Sequence, residues 1–413
     1  MFKKLFRSLP GQMIIAAILA VLLAQCLPSA WLQQGSDFMA FTALGKIIYI
    51  GLLKMLVGIV VLFALLQGIT HIGSVVKLKS LGLSTLGIYA LTSTLAICLG
   101  LGVTLMMPHW PPLQNLPDTD GITLIAQDAA SGGSIAHKLL GMALVNPFSA
   151  LANGNLLAVV VFAVMMGIAL LVSLPAKHPV FSVIEGINSG LNRLISVIVR
   201  FAPIAIFSIL LQYSSAGNSA LFGELAQFAL LVFVLTAIHG GITLPLLAKA
   251  FSGRKITPMM KAIIAPMTMA FATSSSSATL PLSLQTARDE LGVSDTTSSM
   301  VLPLGSIMNM DGTALFEGVA AIFLAQLYGM DLGTTELIII FLMAMISSIG
   351  APGMPSGSMS GMQLVMLAVG IPLEAIAILL IIERPLDTFR TAVNVEGDLI
   401  AAVIVDKWQQ GKF

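Results

Sequence analysis

Apolar residues run through this chain in long blocks, and the polar positions between them gather in a few clusters. The run Met13 to Ala24 follows Lys3, Lys4 and Arg7. A signal peptide would look similar, but Gln25-Cys26-Leu27-Pro28 is a poor small-residue cleavage site and more apolar runs follow, so a retained first helix is predicted. A second run lies around Phe41 to Ile72, and a third, from Leu81 to Met107, is free of charge. Further spans are predicted at about 139–174, 190–214 and 222–250. Several of these runs are close to the roughly 20 residues a helix needs to cross a bilayer. The stretch from Pro108 to His137 is polar and Pro-rich, holds Asp118, Asp120 and Asp128 without any Lys or Arg, and reads as an outside loop.

Basic residues mark alternate ends of these spans: Lys3, Lys4 and Arg7, then Lys77 and Lys79, then Lys177, then Lys249, Arg254 and Lys255. The segments 28–40, 108–137, 215–221 and 328–336 contain none. By the positive-inside rule the N-terminus is cytoplasmic, and six crossings return the chain to the cytoplasm before residue 256.

Beyond that point two hydrophobic segments are broken at their middles by small polar residues. One is Phe271-Ala-Thr-Ser-Ser-Ser-Ser-Ala-Thr-Leu-Pro281, the other Ser347-Ser-Ile-Gly-Ala-Pro-Gly-Met-Pro-Ser-Gly-Ser-Met359. Pro and Gly loosen the helical ladder and Ser hydroxyls offer the backbone other partners, so each segment is predicted to turn back as a helical hairpin. Irregular backbone survives at membrane depth only where protein or a water-filled cavity satisfies it. A pair of interrupted segments, each followed by a helix carrying polar residues, points to an inverted-repeat transporter with its site between them.

Composition narrows the class further. The 413 residues are 57% hydrophobic and 9% charged, against about 25% charged in a soluble domain, and the mean hydropathy is +0.98. Soluble enzyme classes drop out. A net charge of +1 supplies no basic surface for nucleic acid. Two cysteines, Cys26 and Cys98, exclude a disulfide framework and a Cys-built metal site, and their apolar surroundings mark them as core residues.

The last long helix, about Leu373 to Trp408, contains Glu383, Asp387, Arg390, Thr391, Asn394 and Asp398. At about 100° per residue all of them fall within roughly 60° of Asp387, on one stripe. Glu396 falls on the opposite side and is predicted to be a surface group near the cytoplasmic interface. Each ionised side chain at mid-membrane costs about 2.5–3.5 kcal/mol, so four on one stripe must face protein, water or ligand.

The segment Gly305-Ser-Ile-Met-Asn-Met-Asp-Gly-Thr313 places Asn309, Asp311 and Thr313 inside another apolar helix, with Glu317 about one turn further on. Asn and Asp followed by Gly weaken the helix and expose carbonyls, which suits ligation of hard cations by oxygen. With Asp311, Asp387 and Asp398 ionised against Arg390, the region is left with excess negative charge that small cations would neutralise. Zinc does not fit an all-oxygen donor set. The histidines, His71, His109, His137, His178 and His239, sit in other segments and read as structural. Arg390 is not needed for cations. Its guanidinium pairs bidentately with a carboxylate while Asp387, one turn away, can hold an ammonium, so the stripe suits an acidic amino acid.

These residues resemble those of the dicarboxylate/amino acid:cation symporter family, which includes glutamate and aspartate transporters. The resemblance spans essentially the whole chain and is strongest from Thr273 to Asp398. Its carriers are Thr-Ser-Ser-Ser-Ser-Ala-Thr-Leu-Pro (273–281), Asn-Met-Asp-Gly-Thr-Ala-Leu (309–315) and Asp387-Thr-Phe-Arg390-Thr391-Ala-Val-Asn394-Val-Glu-Gly-Asp398. It implies an all-α integral membrane protein of eight membrane helices and two re-entrant hairpins with inverted repeats. It also implies a homotrimer, and a transport domain that moves like an elevator against a fixed scaffold. The scaffold would comprise 1–80 (helices 1–2) and 138–220 (helices 4–5). The transport domain would comprise helix 3 at 81–107, helix 6 at 221–255 and a core at 256–413, with 108–137 as an extracytoplasmic loop.

Carried over residue by residue, the resemblance implies a substrate site at Ser275 and Ser276 of the first hairpin tip, Met354 of the second, and Thr313, Asp387, Arg390, Thr391 and Asn394. Arg390 would take the side-chain carboxylate and Asp387 the amine. One sodium site would use Asn309, Asn394 and Asp398 with the Gly305 carbonyl, and another Tyr89, Thr92, Ser93, Asn309 and Asp311. A third would use carbonyls near Ile307, Ser348, Ile349 and Ala351. Glu317 resembles the glutamate proposed to carry a proton in animal glutamate transporters, which implies proton-sensitive transport.

The expected function is sodium-coupled import of L-aspartate or L-glutamate across the cell membrane, the inner membrane in a bacterium, with both termini cytoplasmic. Its partners are the amino acid, Na⁺ or H⁺, membrane lipid and further copies of the chain, with no nucleic acid and no organic cofactor. The alternatives are proton coupling, or a C4-dicarboxylate or small neutral amino acid as substrate. Dicarboxylate-specific members typically lack the Asp found here at 387. The chain also departs from the family's pattern. Ser274 and Thr388 stand where other members carry an Arg, for which Arg384 is the candidate substitute, and the second tip, Gly353-Met-Pro-Ser-Gly-Ser358, is bulkier or more polar than usual. A serine hydrolase at Ser274 to Ser277 would lack a nearby base. A passive channel is the less natural use of two broken hairpins. No P-loop is present to drive an ATP-dependent pump.

Overall fold

The computed structural model describes residues 9–33, 35–70, 81–113, 137, 140–141, 143–175, 177–215, 221–350, 358–372 and 375–410. Among the described residues all regular structure is helical. Among the described residues seven spans are long and apolar enough to cross a membrane: Asp37–Thr70, Leu83–Met106, Leu156–Ser173, Pro179–Ser215, Leu221–Ser252, Ile256–Thr273 and Asp295–Leu327. Only helices satisfy every backbone hydrogen bond within the segment itself, which is what a bilayer demands of such apolar runs.

The first group of helices is α1 (Leu9–Cys26), α2 (Asp37–Thr70), α3 (Leu83–Met106), α4 (Leu156–Ser173), α5 (Pro179–Ile198), α6 (Ala202–Ser215), α7 (Leu221–Ile238) and α8 (Leu244–Ser252). A 3₁₀ turn at Val199–Phe201 joins α5 to α6, and a π-helical turn at His239–Thr243 joins α7 to α8. α1 packs on α6, and α2 packs on α4, α5 and α6, whereas α3 packs on the later part of the chain. The predicted span at 139–174 begins later than expected. Asn146 caps a short helix at Pro147–Asn153, Gly154 turns left-handed, and Asn155 caps α4 by accepting from the Ala158 N–H. Two capping asparagines and a left-handed Gly stop and restart the helix inside an otherwise apolar stretch.

The C-terminal half holds α9 (Ile256–Thr273), α10 (Ser276–Asp289), α11 (Asp295–Met308), α12 (Asp311–Leu327), α13 (Thr334–Gly350), α14 (Ser358–Val369) and α15 (Ile376–Gln410). α9 and α10 form a helical hairpin. Ser274 turns the chain with φ +49°, and the Ser275 side chain caps α10 by accepting from the Ala278 N–H at 3.2 Å. α13 and α14 pack on one another. The link between them, with Ala351, Met354 and most of the second tip, lies outside the described residues, as do Lys3, Lys4, Arg7, His71, Lys77, Lys79 and the three aspartates of the 108–137 loop.

α12 is the axis of the fold: the most apolar window of Asp295–Leu327 is 94% buried, against 22% for α9. Phe323 of α12 stacks on Phe228 of α7 at 4.6 Å and meets Trp110 edge-on at 5.0 Å. α15 packs against α9, α10, α11 and α12. Many large apolar side chains face outward instead, among them Phe41, Leu83, Met106 and Phe148. Cys26 and Cys98 are outward-facing too, which corrects their reading as core residues. In a chain solvated by lipid the outer face of a helix is as apolar as its inner face, so an apolar neighbourhood does not imply burial.

Candidate functional site

The α11–α12 junction breaks where the Asn-Met-Asp-Gly segment predicts weakness. Asn309 (φ −115°, ψ 86°) and Met310 (φ −119°, ψ 60°) leave the helical region, and the chain resumes as α12 at Asp311. The break aims two polar side chains at neighbouring helices. Asn309 donates from Nδ2 to Asp398 Oδ1 of α15 at 3.0 Å. Asp311 Oδ1 accepts from Ser93 Oγ at 2.7 Å and from Thr92 Oγ1 at 3.1 Å, both on α3, and Thr92 Oγ1 lies 3.4 Å from Asn309 Oδ1. Tyr89 donates its hydroxyl to the Val301 carbonyl at 2.7 Å. Gly305 lies beside both groups: a Cβ there would stand 2.6 Å from Tyr89 Oη and 2.7 Å from Asp398 Cγ.

The structure therefore gathers Tyr89, Thr92, Ser93, Gly305, Asn309, Asp311 and Asp398, which are far apart in sequence, into one buried cluster of oxygen donors. Such a set suits a hard cation such as Na⁺. The Gly305 carbonyl accepts from the Asn309 N–H at 2.9 Å. Ile307 lies in the last turn of α11. Ser348 donates to the Met345 carbonyl at 2.8 Å, and Ile349 follows it on α13.

One turn along α15 lies a second cluster. Asn394 accepts from the Gly312 N–H at 2.8 Å through Oδ1, and its Nδ2 lies 3.5 Å from Thr313 Oγ1. Thr391 donates to the Asp387 carbonyl at 2.7 Å. The whole stripe of Glu383, Asp387, Arg390, Thr391, Asn394 and Asp398 is buried, as its insertion cost requires. Arg390 is among the largest fully buried side chains and lies over the Phe316 ring, with Cζ 3.9 Å from the centroid. Arg384, the candidate substitute arginine, reaches Asp387 Oδ2 at 3.4 Å, and Arg390 Nη2 lies 3.3 Å from Asp387 Oδ1. Asp387 thus sits between two guanidinium groups. Ser276 is buried in the first turn of α10, in the hairpin that packs on α15.

Glu317 is fully buried on α12, where Oε1 accepts from Ser347 Oγ at 2.8 Å and Oε2 has no partner among the described residues. Four further residues have a larger part than the residue pattern suggested. Glu383 makes the shortest ion pair to Arg390, at 2.8 Å, and Ser358 of α14 hydrogen-bonds to both. The second serine of Ser-Gly-Ser358 was the available signal. His239, read as structural, has Nε2 3.5 Å from Asp311 Oδ2. The clue was a histidine before Gly240-Gly241 between apolar runs, but its partner lies 72 residues further along the chain. Glu396, predicted on the surface, is instead fully buried, and a Cβ on Gly240 would stand 2.9 Å from its Oε2. Its wheel position opposite Asp387 is correct, but α15 is enclosed by protein on that side as well.

Comparison with known proteins follows the same lines. The sequence pattern described as the sodium:dicarboxylate symporter family matches residues 9–408. The proton/glutamate-aspartate symporter of Escherichia coli (strain K12) is 30% identical over 97% of this chain and 93% of its own length. The proton/sodium-glutamate symport protein of Bacillus caldotenax is 29% identical over 88% of this chain and 86% of its own. The neutral amino acid transporter B(0) of Oryctolagus cuniculus is 36% identical over 62% of this chain and 47% of its own.

Proposed function

Because this chain belongs to the sodium:dicarboxylate symporter family, a family of transporters and not of enzymes, we propose that it is a secondary active symporter importing L-aspartate or L-glutamate together with sodium. One observation carries the reading: a buried guanidinium and a buried carboxylate, Arg390 and Asp387, share a helix face one turn apart, beside a cluster of oxygen donors. In this reading Arg390 takes the substrate's side-chain carboxylate and Asp387 its ammonium. Ser275, Ser276, Met354, Thr313, Thr391 and Asn394 complete the substrate site. The cations sit with Asp398, Asn309, Asn394 and the Gly305 carbonyl, with Asp311, Asn309, Thr92, Ser93 and Tyr89, and with the carbonyls near Ile307, Ser348, Ile349 and Ala351.

The proposed architecture has eight membrane helices and two re-entrant hairpins, α9–α10 and α13–α14, in a homotrimer with cytoplasmic termini. The mutual packing of α1, α2, α5 and α6 supports a scaffold, and the packing of α3 and α9 to α12 with one another and with α15 supports a moving core. Coupling follows from charge: carboxylates left uncompensated at mid-membrane disfavour movement of an unloaded core, and cations remove that penalty.

Uptake of radiolabelled L-aspartate into proteoliposomes, under an inward sodium gradient, a proton gradient or neither, tests the reading. Sodium-driven accumulation blocked by unlabelled glutamate supports it, and absence of aspartate uptake refutes it. Proton coupling is the second reading, favoured by Glu317 buried with one oxygen unpartnered among the described residues. Proton-driven accumulation would assign coupling to that residue.

A further inference from the structure

The guanidinium of Arg390 is already engaged by a carboxylate of its own helix. Glu383, two turns earlier on α15, places both Oε1 and Oε2 at 2.8 Å from Arg390 Nη2. Ser358 Oγ donates to Glu383 Oε1 at 2.7 Å and lies 3.1 Å from Arg390 Nη2, so the start of α14 holds the pair together. Asp387 Oδ1 is a further acceptor for the same nitrogen at 3.3 Å. Four acceptors crowd the two N–H bonds of Nη2. Nε and Nη1, with three N–H bonds between them, have no partner among the described residues. Glu383 and Arg390 are both essentially inaccessible to solvent.

We infer that Glu383 is a specificity-determining residue that occupies Arg390 as an internal stand-in for a substrate carboxylate. An acidic amino acid binds only by drawing Arg390 away from Glu383, whereas a neutral amino acid binds with the pair in place. This rests on Arg390 being the guanidinium that faces the substrate side chain.

Charge accounting carries the inference. Arg390 with Glu383, and Arg384 with Asp387, form two balanced pairs before any substrate arrives. A neutral zwitterion leaves that balance unchanged. A second carboxylate at Arg390 adds one negative charge beside Glu383, where water cannot screen it. Removing Glu383's charge reverses the preference, because Arg390 and Arg384 then share the single carboxylate of Asp387, and the uncompensated buried positive charge is costly until an arriving carboxylate relieves it. The unpartnered Nε and Nη1 add to the case: the guanidinium retains donors for a ligand but has no net charge left to offer it.

The test compares uptake of labelled L-aspartate, and its inhibition by unlabelled L-serine and L-glutamine, in wild-type protein and Glu383→Gln. The apparent affinity for aspartate relative to the neutral competitors is expected to rise roughly tenfold or more in the variant. If the two classes move together, or aspartate weakens, Glu383 is only a packing group and the inference is overturned. Failure of neutral amino acids to compete with the wild type overturns it as well. If Glu383→Gln does not yield monodisperse protein, Ser358→Ala, which removes the hydrogen bond holding Glu383, is expected to shift the ratio the same way. Wild-type aspartate uptake separates this inference from the acidic-substrate reading. Without it that reading fails, and the role of Glu383 then requires that Glu383→Gln create aspartate uptake; absence of such a gain overturns the assignment.

Discussion

Adding one methyl group at Gly305 should disrupt the cation cluster without replacing a charged residue. The Cβ of an alanine there would fall on Asp398 Oδ1, and would stand 2.7 Å from Asp398 Cγ and 2.6 Å from Tyr89 Oη. Ordinary contacts lie at about 3.5–4.0 Å, so Asp398 must retreat by about 1 Å. Its hydrogen bond from Asn309 Nδ2, now 3.0 Å, would open beyond hydrogen-bonding range. A hydrogen bond to a charged group contributes about 1.5–3 kcal/mol, so a cation using both side chains should bind about 10- to 100-fold more weakly in Gly305→Ala. Uptake of labelled aspartate as a function of external sodium reads this as a rise in the half-saturating concentration. Thermal melting in detergent provides the control, since overpacking itself costs roughly 1–3 kcal/mol of stability. A sodium dependence within twofold of wild type, in a folded variant, would refute the placement of the cation between Gly305, Asn309 and Asp398.

The remaining predictions address other parts of the site. Glu317→Gln, which keeps the shape and the contact to Ser347, should abolish the pH dependence of uptake; an unchanged pH profile would remove Glu317 from proton coupling. Asn394→Ala leaves the buried Gly312 N–H without its acceptor and should cost about 1–3 kcal/mol of stability, measurable as a lower melting temperature together with weaker substrate binding. Ser274 is left-handed with φ +49°, a conformation costing an L-residue about 1–2 kcal/mol. Ser274→Gly should therefore fold at least as stably as wild type, while Ser274→Val should melt lower. Equal melting of the two variants would show that this turn is not constrained.

Much of the molecule was legible in one dimension. Long uncharged runs determined a helical membrane protein, because a bilayer accepts little else. The break at Asn309 and Met310 and the turn at Ser274 fall where Asn-Met-Asp-Gly and the serine run announce them, since helix propensity and turn chemistry are local properties. The stripe on α15 was legible for a similar reason: helical periodicity puts Asp387, Arg390, Asn394 and Asp398 on one face, and the cost of exposing them to lipid forces that face inward.

Only the tertiary structure decided what that face meets. Burial of Glu396 depends on how many neighbours surround α15, which a helical wheel does not encode. The approach of His239, at the end of α7, to Asp311, 72 residues further along the chain, depends on how α7 packs beside α12. The outward position of Cys98 depends on which side of the uncharged helix α3 faces away from the protein. The engagement of Arg390 by Glu383 is within reach of one helix, but Ser358 of α14 holds it, and that contact exists only once α14 packs on α15. Sequence determines which charges must be buried together, because desolvation is expensive wherever it occurs. Which of them pair is decided by distances of a few ångströms between helices remote in the chain.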